Sequence, residues 1–299
     1  MTADTGEAAP DLSSIYRSAR RRLADAGVPT PDFDARLLIE WAGGLSQLDL
    51  IRYPETAMSK EASARIHSAI RRRAGGEPVH RIIGQREFYG IGLELTPETL
   101  EPRPDTETLV DLALPFLRER IAEHGTANLL DLGTGSGAIA IALLAQLREL
   151  TAVGADIAPG ALDAARRNSA RTGVTRRFAA LESDWFSAVA GRYDLVISNP
   201  PYISSREIAS LPAEVRCYDP IEALDGGADG LDAYRVIAGR VAGYLAPDGA
   251  VMVEIGHQQK NEVAGLFQGA GFRLDRVARD LAGTERALVF RQSRFGQAG

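Results

Sequence analysis

Four consecutive residues, Asn199-Pro200-Pro201-Tyr202, close a compact apolar segment, Tyr193-Asp194-Leu195-Val196-Ile197-Ser198. Their types suit work on a planar nitrogen, an amide or an aromatic amine. The lone pair of such a nitrogen is delocalised into a neighbouring π-system, so it is a poor nucleophile until it is oriented. The side-chain oxygen of Asn199 and the backbone carbonyl of Pro200 can accept its two N–H bonds, which aims the nitrogen and favours the charge that develops as it is alkylated. Two prolines stiffen the turn and remove amide donors that would compete for those acceptors. Tyr202 offers a ring to pack on a planar group. A rigid proline turn explains Pro200 and Pro201, but not the Asn and Tyr that flank them. Catalytic roles are therefore expected at Asn199 and Pro200, and substrate contacts at Asn199, Pro200, Pro201 and Tyr202.

A second constellation lies upstream. Asp131-Leu132-Gly133-Thr134-Gly135-Ser136-Gly137 follows a short apolar strand and opens an apolar helix, the context that a nucleotide-binding turn requires. Gly133, Gly135 and Ala138 also satisfy the dinucleotide pattern G-x-G-x-x-G/A, so at this point a nicotinamide cofactor and S-adenosylmethionine both fit. Asp156 ends the next strand about twenty residues on, where a carboxylate can accept both ribose hydroxyls. Asp184-Trp185 stands where a third strand should end, with an acceptor for an adenine amino group and an indole to pack on adenine. The planar-nitrogen motif one strand later decides for S-adenosylmethionine. Methyl transfer then needs nitrogen, methyl carbon and sulfonium sulfur nearly in line, with no covalent enzyme intermediate. Cofactor contacts are expected from Gly133, Thr134, Gly135, Ser136, Gly137, Asp156, Asp184, Trp185 and Asn199. Cys217 has no paired base and is read as a packing residue.

These groups need a scaffold that brings strand ends together. Beyond Glu107, strands and helices alternate: Asn128–Asp131, a helix from about Gly137, Thr151–Asp156, a helix over Ala161–Arg171, then Tyr193–Ser198 and Ala250–Ile255. Such alternation predicts an α/β fold with a parallel sheet covered on both faces, whose carboxyl edge is where ligands bind. Phe272–Arg279 and Arg286–Phe290, linked by Asp280 to Glu285, read as a terminal hairpin that adds one antiparallel strand.

Before Glu107 the pattern differs. Leu12, Ile15, Ala19 and Leu23 recur at helical spacing, and further helices are expected at Phe33–Ala42 and Glu61–Arg73. The arginine runs Arg20–Arg22 and Arg71–Arg73 are read as solvated helix faces. Near-alternation at Phe88, Tyr89, Ile91, Leu93 and Leu95 predicts a β-hairpin, followed by the proline-bracketed segment Glu101–Glu107, where Asp105 or Thr106 is expected to cap a helix starting near Leu109. The predicted divisions are a flexible tail over 1–10, a helical substrate-recognition domain over 11–85, a β-hairpin connector over 86–108 and a catalytic domain over 109–299.

The 299 residues, 45% hydrophobic and 25% charged, belong to the ordinary globular class. Met1 to Pro10 shows no secretory signal, and the longest apolar run, Ala138 to Ala145, is too short to span a bilayer, so a cytoplasmic protein without membrane contact is expected. His67, His80, His124 and His257 lack ligand spacing, and no metal is expected. A net charge of −6 argues against a nucleic acid partner. It counts against an adenine-N6 methyltransferase, whose motif can be identical. A non-catalytic adaptor that binds S-adenosylmethionine would have no need of the nitrogen clamp at Asn199.

Taken together, the chain resembles the HemK/PrmC family, the protein-(glutamine-N5) methyltransferases. The resemblance runs over the helical N-terminal region, Arg86-Glu87-Phe88-Tyr89, Pro102-Arg103-Pro104-Asp105-Thr106-Glu107, the glycine turn, Asp184-Trp185-Phe186, the Asn199 motif, Asp219–Leu224 and Asp229–Asp232. It implies a seven-stranded Rossmann-like methyltransferase domain, S-adenosylmethionine as methyl donor, and class I peptide chain release factors as partners, methylated at the glutamine of their Gly-Gly-Gln loop. The Pro102–Glu107 segment has the release-factor form, whereas relatives that act on a ribosomal protein glutamine usually differ there. Glu101 departs from the family, standing where many members carry an apolar residue.

Overall fold

The computed structural model describes residues 10–293, so the expected tail over 1–10 lies, Pro10 apart, outside the described residues. The chain divides into two compact units between Gly84 and Gln85.

The first unit contains α1 (Leu12–Asp25), α2 (Pro31–Gly43), α3 (Gln47–Arg52), α4 (Lys60–Ala74) and α5 (Val79–Ile83). The α1 helix starts where Asp11, in extended conformation, accepts the Ser14 amide at 2.6 Å. Such a cap contributes about 1 kcal/mol. The apolar stripe of α1, Leu12, Ile15, Ala19 and Leu23, is buried against Leu38 and Ile39 of α2 and Ile66 and Ile70 of α4. One sequence expectation is corrected here. Arg73 belongs to no solvated face: it is 4% exposed, and its Nε meets Asp34 Oδ2 at 2.6 Å inside the helical core.

The second unit opens with the hairpin β1 (Gln85–Phe88) and β2 (Ile91–Glu94), paired antiparallel with Phe88 opposite Ile91. It continues through α6 (Glu107–His124), β3 (Ala127–Leu132), α7 (Ala138–Gln146), β4 (Leu150–Asp156), α8 (Pro159–Arg171), β5 (Phe178–Glu182) and β6 (Tyr193–Ser198). The short helices α9 (Ser205–Ile208) and α10 (Ala213–Tyr218) precede α11 (Asp232–Arg240), β7 (Leu245–Glu254), α12 (Lys260–Gly269), β8 (Phe272–Arg279) and β9 (Glu285–Gln292). Glu101 is 9% exposed and pairs with Arg86 of β1 at 3.2 Å, so this carboxylate is accommodated by a charge.

The seven-stranded sheet runs β5-β4-β3-β6-β7-β9-β8, parallel except for β9, which pairs antiparallel with β7 and β8. Chain progression steps outward from β3 to β4 and β5, then returns to lay β6 on the other flank of β3. That reversal opens a crevice at the carboxyl ends of the strands. All six residues of β6 are buried, as a strand covered by helices on both faces requires. Truncating a buried leucine such as Leu129 or Leu195 in such a core costs about 2–5 kcal/mol.

Two local expectations change. The third parallel strand ends at Glu182, two residues before Asp184. The α6 helix begins at Glu107, and neither Asp105 nor Thr106 caps it: both lie in a preceding 3-10 turn, with Thr106 in helical conformation and making no side-chain cap bond. Among the described residues, no helix is long and apolar enough to cross a membrane.

Candidate active site

The turn after β3 is held from two sides. Gly133 and Thr134 donate their amides to the Ala155 carbonyl at 2.8 and 3.0 Å, and Gly135 donates to Asp156 Oδ2 at 2.8 Å. Gly133 and Gly135 adopt φ values of +68° and +56°, which L side chains rarely take, and a Cβ on either would point into open space. The backbone there is consequently bare towards the crevice. At the base of the turn Asp131 accepts the Thr134 hydroxyl at 2.7 Å through Oδ2, while its Oδ1 is buried without a hydrogen-bond partner. Desolvation pushes the Asp131 carboxyl up to about 7, against the lowering effect of Thr134 and the Ala140 amide.

Asp156 ends β4. Its Oδ1 accepts the Ala158 amide at 3.0 Å, so each carboxylate oxygen makes one bond to the backbone and keeps lone pairs for a ligand. After β5 the chain turns at Trp185, which takes a left-handed φ of +49°. Ser183 Oγ donates to the Trp185 carbonyl at 2.9 Å and accepts the Ala188 amide at 3.0 Å, and these bonds hold the strained residue.

Asn199 follows β6. Its Nδ2 donates to Thr106 Oγ1 at 3.1 Å, and no donor from the described chain meets its Oδ1. Pro200 is buried. Two glycines press on the next two residues: a Cβ on Gly226 would stand 2.8 Å from the Pro201 carbonyl, and one on Gly230 would overlap the Tyr202 carbonyl. The Tyr202 phenol donates to Glu254 Oε1 at 3.3 Å, and Gln259 Nε2 donates to the Tyr202 carbonyl at 2.9 Å. Burial, then the Glu254 carboxylate, raise the Tyr202 phenol above its ordinary range. Glu254 itself is 1% exposed, and burial pushes it up to about 7.

These strand ends share a cavity of about 810 Å3. Gly133, Gly135, Asp156, Asp184, Trp185, Asn199 and Pro201 line it. Thr134, Ser136 and Gly137 do not: they shape the turn from behind, where the Ser136 carbonyl accepts Asn168 Nδ2 at 3.0 Å and a Cβ on Gly137 would meet Ile141 at 2.7 Å. Pro200 and Tyr202 are also outside the lining, with Tyr202 turned to Glu254. Sequence reasoning did not single out Glu98 and Leu100, Asp225 or Val236, which line the same cavity from irregular segments and from α11. Thr106 stood in that reasoning as a helix cap and as part of the Pro102–Glu107 segment, without any sign of its contact with Asn199.

The donor set fits S-adenosylmethionine: a bare glycine backbone for the amino-acid arm, a carboxylate for the ribose diol, an indole and carboxylate for adenine. Parallel-sheet order, crevice and lining residues together define a Rossmann-like S-adenosylmethionine-dependent methyltransferase.

Comparison with known proteins narrows the class. Residues 14–84 match the PrmC N-terminal domain and residues 106–214 the methyltransferase small domain. The release factor glutamine methyltransferase of Agrobacterium fabrum (strain C58) is 49% identical over 281 residues, 94% of this chain and 97% of that protein. Its counterpart from Rhodospirillum rubrum is 44% identical over 294 residues, 98% of this chain and 89% of that protein. The chain belongs to the release factor glutamine methyltransferase family.

Proposed function

We propose that the protein transfers a methyl group from S-adenosylmethionine to the side-chain amide nitrogen (N5) of the glutamine in the Gly-Gly-Gln motif of class I peptide chain release factors, in the cytoplasm, in support of translation termination. One observation carries the reading. At the end of β6 Asn199 lines the cavity with an oxygen that no donor of the described chain meets, alongside Asp156 and Trp185.

Bound S-adenosylmethionine supplies an electrophilic methyl group on a sulfonium. The chain's own residues do the rest. Asp156 takes the ribose hydroxyls, Asp184 and Trp185 the adenine, and the Gly133–Gly135 backbone lies along the remaining arm. Asn199 Oδ1 and the Pro200 carbonyl accept the two N–H bonds of the glutamine amide. That contact strengthens as positive charge grows on the nitrogen, so it favours the transition state over the ground state. The helical domain over 11–85 recognises the release factor, and 86–108 connects it to the catalytic domain.

The test is direct. Incubation with S-adenosylmethionine and a release factor, followed by mass spectrometry of the digested factor, should find one added methyl on the Gly-Gly-Gln glutamine. An unmodified factor beside a methylated adenine oligonucleotide would overturn the reading.

A further inference from the structure

Asn199 can serve as an acceptor only if its amide is the right way round, because a flip of the side chain would present a donor to the donating substrate nitrogen. Asn and its flipped form have nearly the same shape, so packing alone discriminates poorly. A hydrogen-bond partner must choose.

That partner is Thr106, 93 residues away in sequence and 3% exposed, whose Oγ1 lies 3.1 Å from Asn199 Nδ2. A hydroxyl has one proton, so it accepts reliably only when that proton is committed elsewhere. Glu254, at the carboxyl end of β7, is the group that can commit it: Tyr202 takes its Oε1, its Oε2 is buried without a hydrogen-bond partner, and the neighbouring Thr106 hydroxyl acts on the carboxylate as a lowering influence. We propose that Thr106 is a positioning residue, whose hydroxyl donates to Glu254 and thereby accepts from Asn199 Nδ2, which turns Asn199 Oδ1 towards the substrate. This rests on the reading of Asn199 as the acceptor of the substrate amide.

The surroundings keep Glu254 available for this task. Arg286 of β9 faces it, and the same guanidinium is shared with Asp280 at 3.1 Å and Asp105 at 3.3 Å. Tyr202 donates to its carboxylate, and the Tyr234 hydroxyl of α11 donates instead to its backbone carbonyl at 2.7 Å. When Glu254 takes up a proton it can donate to Thr106, and the Thr106 proton is released towards Asn199. The amide then gains by flipping. With the carboxyl pushed up to about 7 by burial, this exchange falls within the working range, so turnover is full above that pH and declines below it.

Three variants and one spectroscopic signal test the proposal. Thr106→Val keeps the shape but removes the hydroxyl. It should lower kcat on the order of 100-fold, as loss of a preorganised polar group does, with cofactor affinity and KM for the release factor nearly unchanged. Thr106→Ser should restore most of the rate. Glu254→Gln should remove the acidic limb of the kcat profile. In the 15N spectrum of the protein alone, the Asn199 side-chain amide should shift in Thr106→Val, stay in Thr106→Ser, and titrate with the midpoint of the rate. A wild-type kcat in Thr106→Val, or an Asn199 amide that ignores both the variant and pH, overturns the proposal. Should Thr106→Val fail to fold, the wild-type titration and Thr106→Ser decide by the same criteria. An amide that behaves as stated in an enzyme that leaves release factors unmethylated would uphold the positioning role and sink the glutamine substrate instead.

Discussion

Asp156 Oδ2 accepts the amide of Gly135 at 2.8 Å, so the carboxylate that closes β4 also fixes the turn that closes β3. One side chain thereby sets two walls of the cofactor cavity. Replacing it should damage both the proposed ribose contact and the glycine backbone. Asp156→Ala should weaken S-adenosylmethionine binding about 10- to 100-fold, the equivalent of one or two charge-assisted hydrogen bonds. Titration calorimetry checks it. An affinity within about twofold of wild type would remove Asp156 from the ribose site.

Asn199→Ala removes the acceptor without touching that wall. The expected loss is in kcat, on the order of 100- to 1,000-fold, while the dissociation constant for S-adenosylmethionine moves less than about threefold. Single-turnover rates beside calorimetry separate the two effects. A parallel loss of cofactor affinity would mean that Asn199 holds the cofactor as much as the substrate.

Much of this site was legible because it is local. The run Tyr193–Ser198 ending in Asn199-Pro200-Pro201-Tyr202, and the glycines after Leu132, announce strand ends by composition alone, and strand ends in a parallel sheet converge. What escaped depends on pairs far apart in sequence. Nothing near Thr106 reveals that its hydroxyl meets Asn199, so its place before an apolar helix suggested a cap. Asn168 likewise reads as an ordinary helix residue, yet it is fully buried and clasps both backbone groups of Glu94 and the Ser136 carbonyl, tying the hairpin to the glycine turn. Tyr202 has the right type for a stacking ring, but an interior carboxylate 52 positions later claims its hydroxyl. Periodicity specifies which face of an element is buried, and it carries no information about which polar partner waits inside.

The arginine run of α4 gives a prediction about stability. Arg73 and Asp34 are buried together, and Asp34 also takes the Thr30 hydroxyl at 3.0 Å. Arg73→Ala strands a carboxylate in an apolar helical core, which should destabilise the helical unit by about 3–5 kcal/mol. The double replacement Asp34→Leu with Arg73→Met should recover most of that loss, since it removes both charges and fills the space. Urea unfolding followed by Trp41 fluorescence in a Trp185→Phe background reads this unit. Equal stability of Arg73→Ala and wild type would show that water reaches Asp34.

Asp131 makes a pH-dependent cost visible in the cofactor-free protein. Its carboxyl is raised from 3.8 to about 7, chiefly by desolvation, so the folded state holds a proton that the unfolded chain releases near 3.8. A raised acid destabilises the fold where it must ionise: the penalty is absent below 3.8, grows as pH climbs to about 7, and is complete above it. A tenfold change in proton affinity is worth about 1.4 kcal/mol, so the penalty amounts to a few kcal/mol. Asp131→Asn has no proton to lose and keeps an acceptor for Thr134. Its stability relative to wild type should therefore improve between pH 5 and pH 8, as denaturant unfolding at the two pH values would show. A constant difference would mean that Asp131 ionises in the folded protein as easily as in water, and that its unpaired oxygen is solvated.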